Sequence, residues 1–142
     1  PFRERIRNGG KIGVVFGQKT QLWGDIPGKD SFELLHSIYE IPDNVYGENL
    51  DLFKKILELE EFMDQPARKL SLGQRVRADI AAALLHDPPI LFLDEPISHL
   101  DDDNSRIMGE LIIAEAKAQG AGVIATSIGK HIELPYNHIL QL

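Results

Sequence analysis

Between Leu70 and Asp101 the chain reads LSLGQRVRADIAAALLHDPPILFLDEPISHLD, and few folds accommodate that order of signals. Ser71 and Gln74 have the capping-box spacing, in which a hydroxyl and an amide satisfy two free backbone N–H groups. Val76, Ile80, Ala83 and Leu84 recur on one helical face, and Pro88-Pro89 stops the helix. Ile90 to Leu93 is apolar without alternation, which predicts a strand buried on both faces of a parallel sheet. Asp94 and Glu95 then fall at its carboxyl end, where open α/β sheets bind ligands.

These residues resemble a known family. Leu70 to Gln74 looks like the signature motif of ATP-binding-cassette (ABC) ATPases, and residues 90–96 (ILFLDEP) look like their Walker B strand. Ser98-His99-Leu100-Asp101 resembles their D-loop. Upstream, KIGVVF (11–16) reads as a strand and FGQKTQLW (16–23) resembles the family's Q-loop in its exporter-type form. The resemblance implies an α/β fold, a partial P-loop NTPase (RecA-like) parallel sheet with an inserted all-helical signature subdomain. It implies ATP and magnesium as cofactors. It also implies roles: Asp94 and Gln18 at the metal, Glu95 as the base for the attacking water with Gln18 assisting. Ser71, Leu72, Gly73 and Gln74 would contact the ATP of the opposite subunit, and Asp101 would join the dimer interface across the two sites.

Composition narrows the alternatives. A chain of 142 residues suits one domain, and 43% hydrophobic content suits a packed core. A net charge of −7 argues against a nucleic-acid or anionic-membrane surface. With no cysteine there is neither disulfide nor thiolate metal site. No apolar run approaches the roughly 18 residues that span a bilayer. The start, PFRER, is neither an initiator methionine nor a secretory signal, and reads like the interior of a longer chain.

In chain order, Gly9-Gly10 marks a turn before the first strand. Trp23 lies in a loop, as a partner anchor or as a local core residue. Asp30 with Glu33 suggests a second capping box, opening a helix with Phe32, Leu34, Leu35 and Ile38 on its face and an end near Tyr39. Leu50, Phe53, Ile56 and Leu57 predict another helix over about 48–59, with Glu58, Glu60 and Glu61 as a solvated end. After Asp101, the acids Asp102 and Asp103 precede a helix from about Asn104 to Gln119, which Gly120 closes. Gly122 to Thr126 is a third strand and His138 to Leu142 a fourth. The expected organisation is one partial ABC ATPase domain, with an α/β core from 1–19 and 88–142 and a helical subdomain from 20–87.

The chain departs from the family's pattern in three places. Leu72 stands where the first of two signature glycines is usual. No G-x-x-x-x-G-K-S/T loop occurs, so the β- and γ-phosphates lack their backbone cradle and lysine. Ile128 occupies the place of the switch histidine, and His131 is the candidate substitute. The chain therefore reads as truncated at its amino end and missing a central strand, which leaves open edges that invite strand exchange in a homo-oligomer. Residues 11–96 and 97–142 look like two branches of the family, so the chain reads as a mosaic.

The leading expectation is an ATP-binding subunit, or fragment, of an ABC transporter. It would couple hydrolysis to transport, inactive alone for lack of the phosphate loop. Its partners would be a membrane-spanning subunit and a second nucleotide-binding subunit, head to tail, at the cytoplasmic face of a membrane, with no nucleic acid. The alternative is a non-catalytic, degenerate or engineered cassette module acting through its dimer or partner surface. A metal-dependent hydrolase built on the carboxylates lacks histidines at workable spacing.

Overall fold

Three short apolar segments pair in parallel: β1 (Ile12–Phe16), β2 (Ile90–Asp94) and β3 (Gly122–Thr126), in the order β1-β2-β3. The computed structural model describes residues 10–17, 19–97 and 100–126. The register places Phe16, Asp94 and Thr126 side by side, so all three strands end at one level. Among the described residues β3 has β2 as its sole strand neighbour. The expected fourth strand, 138–142, lies outside the described residues.

Every regular element between β1 and β2 is helical: α1 (Gly28–Ile38), α2 (Asp43–Ile56), two 3₁₀ turns (Leu59–Glu61 and Ala67–Lys69) and α3 (Leu72–Leu84). After β2 comes α4 (Asp102–Ala118). The core begins under α1 and α2 with Phe32, Phe53, Leu57 and Phe62. It continues through Ile80, Leu84 and Leu85 to Val15, Leu91 and Leu93 of the sheet. Each fully buried Leu or Ile contributes about 2 kcal/mol from area removed from water. α3 packs against β1 so closely that a Cβ on Gly13 would meet the Ala83 carbonyl oxygen at 2.4 Å. Only glycine permits that approach.

Four expectations need correction. β2 is not buried on both faces: Leu91 and Leu93 are buried, but Phe92 is 37% exposed and Ile90 is exposed too. Among the described residues the helices cover one side of the sheet, and Ile12, Phe16, Ile90, Phe92 and Ile124 lie uncovered on the other. α1 has no Asp30–Glu33 capping box. Its N-cap is Pro27, without a side-chain cap, and Glu33 instead accepts the Tyr46 hydroxyl at 3.1 Å. On α1, Phe32 and Leu35 are buried whereas Leu34 and Ile38 face outward. α2 begins at Asp43, directly after Pro42, because proline's fixed φ suits a helix entry.

Candidate functional site

The carboxyl end of β2 is built by a change of backbone hand. Asp94 is the strand's last residue, and Glu95 follows at φ +46°, the left-handed region that costs a non-glycine residue about 1–2 kcal/mol. That turn breaks the strand's alternation, in which adjacent side chains would point to opposite faces. Neighbours fix it on both sides. Gly17 N–H donates to the Asp94 carbonyl at 2.9 Å, and Glu95 N–H donates to the Thr126 carbonyl at 3.3 Å. A Cβ on Gly17 would stand 2.0 Å from the Glu95 carbonyl oxygen, so glycine is required there. The Thr126 hydroxyl donates to Asp94 Oδ1 at 2.7 Å and sets the orientation of that carboxylate. The structure thus brings Asp94, Glu95, Gly17 and Thr126 together. Gln18 and His131, the other candidates for this place, lie outside the described residues.

A second feature sits at the start of α3. Ser71 is its N-cap and the expected capping box is present. Gln74 N–H donates to Ser71 Oγ at 3.2 Å, and Ser71 N–H to Gln74 Oε1 at 3.0 Å. Leu72 and Gly73 occupy the first two helical positions, whose N–H groups precede the helix's own ladder. A Cβ on Gly73 would meet nothing within 4 Å, so the turn is open on that side. Exposed hydroxyl, open glycine and helix N-terminus together suit an anionic oxygen. This turn and the carboxylate pair belong to different elements, separated by the whole of α3, roughly 20 Å long.

Asp101 is the N-cap of α4. Its carboxylate accepts Asn104 N–H at 3.0 Å and Asn104 Nδ2–H at 2.6 Å. These bonds, the backbone one foremost, hold its pKa below the usual carboxylate value.

Sequence reasoning missed Asp79. It lies in the middle of α3 among alanines and is 3% exposed. Its Oδ1 accepts the Thr20 hydroxyl at 2.7 Å and Gln21 N–H at 3.0 Å. Burial pushes its pKa up to about 6, against the opposing pull of the Thr20 and Gln21 bonds and of Arg75. The available signal was one acid inside the run Ala78 to Ala83. Trp23 is 41% exposed, so it is not a core residue, and its N–H donates to Ser31 Oγ at 3.2 Å. Glu58 is not merely solvated: it pairs with Arg77 of α3 at 2.6 Å. A cleft of about 460 Å³ between α1 and α2 is lined by Lys29, Glu33, Tyr46, Lys54, Glu60 and Asp64, and lies away from both features above. Lys29 pairs there with Asp64 at 2.5 Å. Among the described residues no group of three or more His, Asp or Glu could hold a metal ion by itself.

The family model for the ABC transporter matches residues 3–98. The ABC transporter ATP-binding protein NatA of Bacillus subtilis is 25% identical over 132 residues, 93% of this chain and 54% of NatA. The phosphonates import ATP-binding protein PhnC 1 of a Synechococcus strain is 37% identical over 126 residues, 87% of this chain and 45% of PhnC 1. Among solved structures, an ATP-binding subunit of an ABC transporter superposes with a TM-score of 0.74 at 20% identity, over 87% of this chain and 50% of that one. CbiO1 from Clostridium perfringens, part of the ABC transporter complex cbiONQ, gives 0.69 at 25% identity, over 89% of this chain and 51% of that one. The chain therefore belongs to the ABC transporter family of ATP-binding proteins, and its fold is the α/β P-loop NTPase fold of their ATPase domains. It spans about half the length of the curated relatives it matches. Among the described residues no helix is long and apolar enough to cross a membrane.

Proposed function

We propose that this chain supplies the Walker B, signature and D-loop parts of a transporter's ATPase, coupled to a membrane-spanning subunit at the cytoplasmic face of a membrane. The observation that carries the reading is the end of β2: a carboxylate oriented by Thr126, followed by one turned out of the strand by its left-handed backbone. The exposed Asp94 carboxylate suits magnesium, a hard cation that takes one or two carboxylates together with phosphate oxygens and water. A magnesium ion held there would supply neutralisation of charge on the transferring phosphoryl group. Glu95 accepts the proton of the attacking water, and Gln18 is the residue proposed to assist at the metal and the water. The Ser71 hydroxyl and the N–H groups of Leu72 and Gly73 donate to the terminal phosphate of ATP held by a second nucleotide-binding subunit, arranged head to tail. Gln74 holds that turn through the capping box. Asp101 stiffens the approach to the dimer interface by capping α4.

The chain has no G-x-x-x-x-G-K-S/T run among its 142 residues, so these residues do not supply that loop's backbone cradle and lysine. That observation also favours the second reading, a non-catalytic cassette module acting through the same surfaces. Titrating Mg-ATP into the chain alone, and then into the chain mixed with a cassette subunit that carries the loop, separates the two. The ATPase reading expects binding weaker than millimolar by the chain alone and an ATP-dependent mixed dimer that Ser71→Arg abolishes. Micromolar binding by the chain alone, lost in Asp94→Ala, would overturn this division of labour. A mixed dimer that forms equally with and without ATP would support the non-catalytic module.

A further inference from the structure

The segment that leaves β1, Thr20 to Trp23, buries Leu22 in the core and is also held by polar bonds from three elements. Gln21 Nε2 donates to the Val14 carbonyl of β1. Trp23 N–H donates to the buried Ser31 hydroxyl of α1. Asp79 of α3 takes both the Thr20 hydroxyl and the Gln21 N–H, and Thr20 Oγ in turn accepts Leu22 N–H at 3.1 Å. Among the described residues, the Asp79 bonds are the hydrogen bonds that join this segment to the helix whose first turn is Ser71–Gln74.

The position is an odd one for a carboxylate. Ala78, Ala81, Ala82 and Ala83 around it are buried, and a further alanine would extend the same packing. Arg75, one turn earlier on the same helix, is the charged group that favours its ionised form, and Thr20 and Gln21 are the polar groups facing it from the β1 exit. An apolar side chain at 79 would leave the Thr20 hydroxyl and Gln21 N–H without the acceptor they now share. Along α3, Ser71 and Asp79 are about 12 Å apart on one continuous hydrogen-bonded rod.

We propose that Asp79 is a positioning residue that fastens the segment following Gln18 to α3, so that a displacement of the signature-like turn is passed to the exit of β1. This rests on the reading that α3 presents that turn to nucleotide, but its test uses no nucleotide and so stands or fails separately. The readout is amide exchange and chemical shift, measured by NMR on this chain and on Asp79→Asn, Asp79→Ala and Thr20→Val. Asp79→Ala is expected to speed exchange at Gln21 by about tenfold or more, the scale of a lost bond to a charged acceptor, with the β1–β2 ladder amides unchanged. Asp79→Asn, which keeps an acceptor oxygen, restores most of that protection. Thr20→Val, which leaves α3 untouched and remains informative if Asp79→Ala does not fold, shifts the amide resonances of Gly73 and Gln74. A bond of local structural importance alone would not move those resonances. Gln21 exchange within about twofold of the parent in Asp79→Ala, failure of Asp79→Asn to restore it, or unmoved Gly73 and Gln74 resonances in Thr20→Val would each overturn the proposal.

Discussion

At the scale of single residues, two carboxylates respond to acid in opposite directions. Asp79 has its pKa raised from 3.8 to about 6 by burial. Between those values the folded chain holds a proton that the unfolded chain has lost, so this group's contribution is greatest below about pH 4 and declines as pH rises through 6. The decline is at most about 3 kcal/mol, from roughly two pKa units at about 1.4 kcal/mol each. Asp101, whose pKa is lowered by its capping bonds, stabilises above the unfolded value and loses that effect as pH falls. Urea denaturation at pH 4.5 and 7 separates them by variant: Asp79→Asn is expected to be more stable than the parent at pH 7 and to lose most of the difference at pH 4.5. A parallel pH profile in the two proteins would refute the assignment. Gly17→Ala is expected to cost about 2 kcal/mol, as overpacking does, because its Cβ would strike the Glu95 carbonyl oxygen. A chevron or equilibrium melt unchanged by that substitution would show that the β1–β2 exit can open freely. The Ser71–Gln74 box was legible in the sequence because both partners are local and their spacing is fixed. Asp79 was not, since its partners lie 58 and 59 residues away and nothing in the α3 pattern points to them.

At the scale of elements, the end of α4 was legible while the starts of α1 and α2 were not. Gly120 closes α4 as expected, at φ +73°. The C-terminus forms both bonds of a Schellman motif, Gly120 N–H to the Lys117 carbonyl at 3.0 Å and Ala121 N–H to the Ala116 carbonyl at 2.7 Å. Gly120→Ala is expected to lower stability by about 1 kcal/mol, read as a drop in the thermal midpoint. No loss would mean the terminus relaxes to another turn. The buried stripe of α4 was hidden because small residues, Ser105, Gly109 and Ala116, make up most of it beside Ile112 and Ile113. A search for large apolar side chains finds Ile107 instead, which is 54% exposed. β2 misled for a related reason. Ile-Leu-Phe-Leu carries apolar side chains on both faces, so the sequence pattern gives no sign that one face is left open by the described elements.

At the scale of the whole molecule, the sheet face left open among the described residues is the feature that bears on association. Ile12, Phe16, Ile90, Phe92 and Ile124 form a contiguous apolar patch on a three-stranded sheet, and contiguous patches of this kind promote association. Together with the β3 edge, it makes self-association of the isolated chain the expected behaviour, whether by face packing or by the strand exchange foreseen from the sequence. Sedimentation should show species larger than a monomer, and Ile124→Lys should shift them toward the monomer. A sharp monomer in the parent would contradict this. The family and the fold class were legible from three motifs in order, because those motifs are local runs with fixed chemistry. The candidate site could be proposed from residue types but not as geometry. The left-handed turn at Glu95, the Gly17 contact and the Thr126 bond to Asp94 all depend on strands far apart in sequence.

The most direct test of the account is steady-state ATP turnover by the transporter complex that contains this chain, comparing the parent with Glu95→Gln. If Glu95 is the base, kcat falls by about 10²-fold or more, the usual contribution of a positioned general base, while Mg-ATP affinity stays within a few-fold. Unchanged kcat in Glu95→Gln would contradict the central claim and leave the carboxylate turn a structural feature of the strand's end.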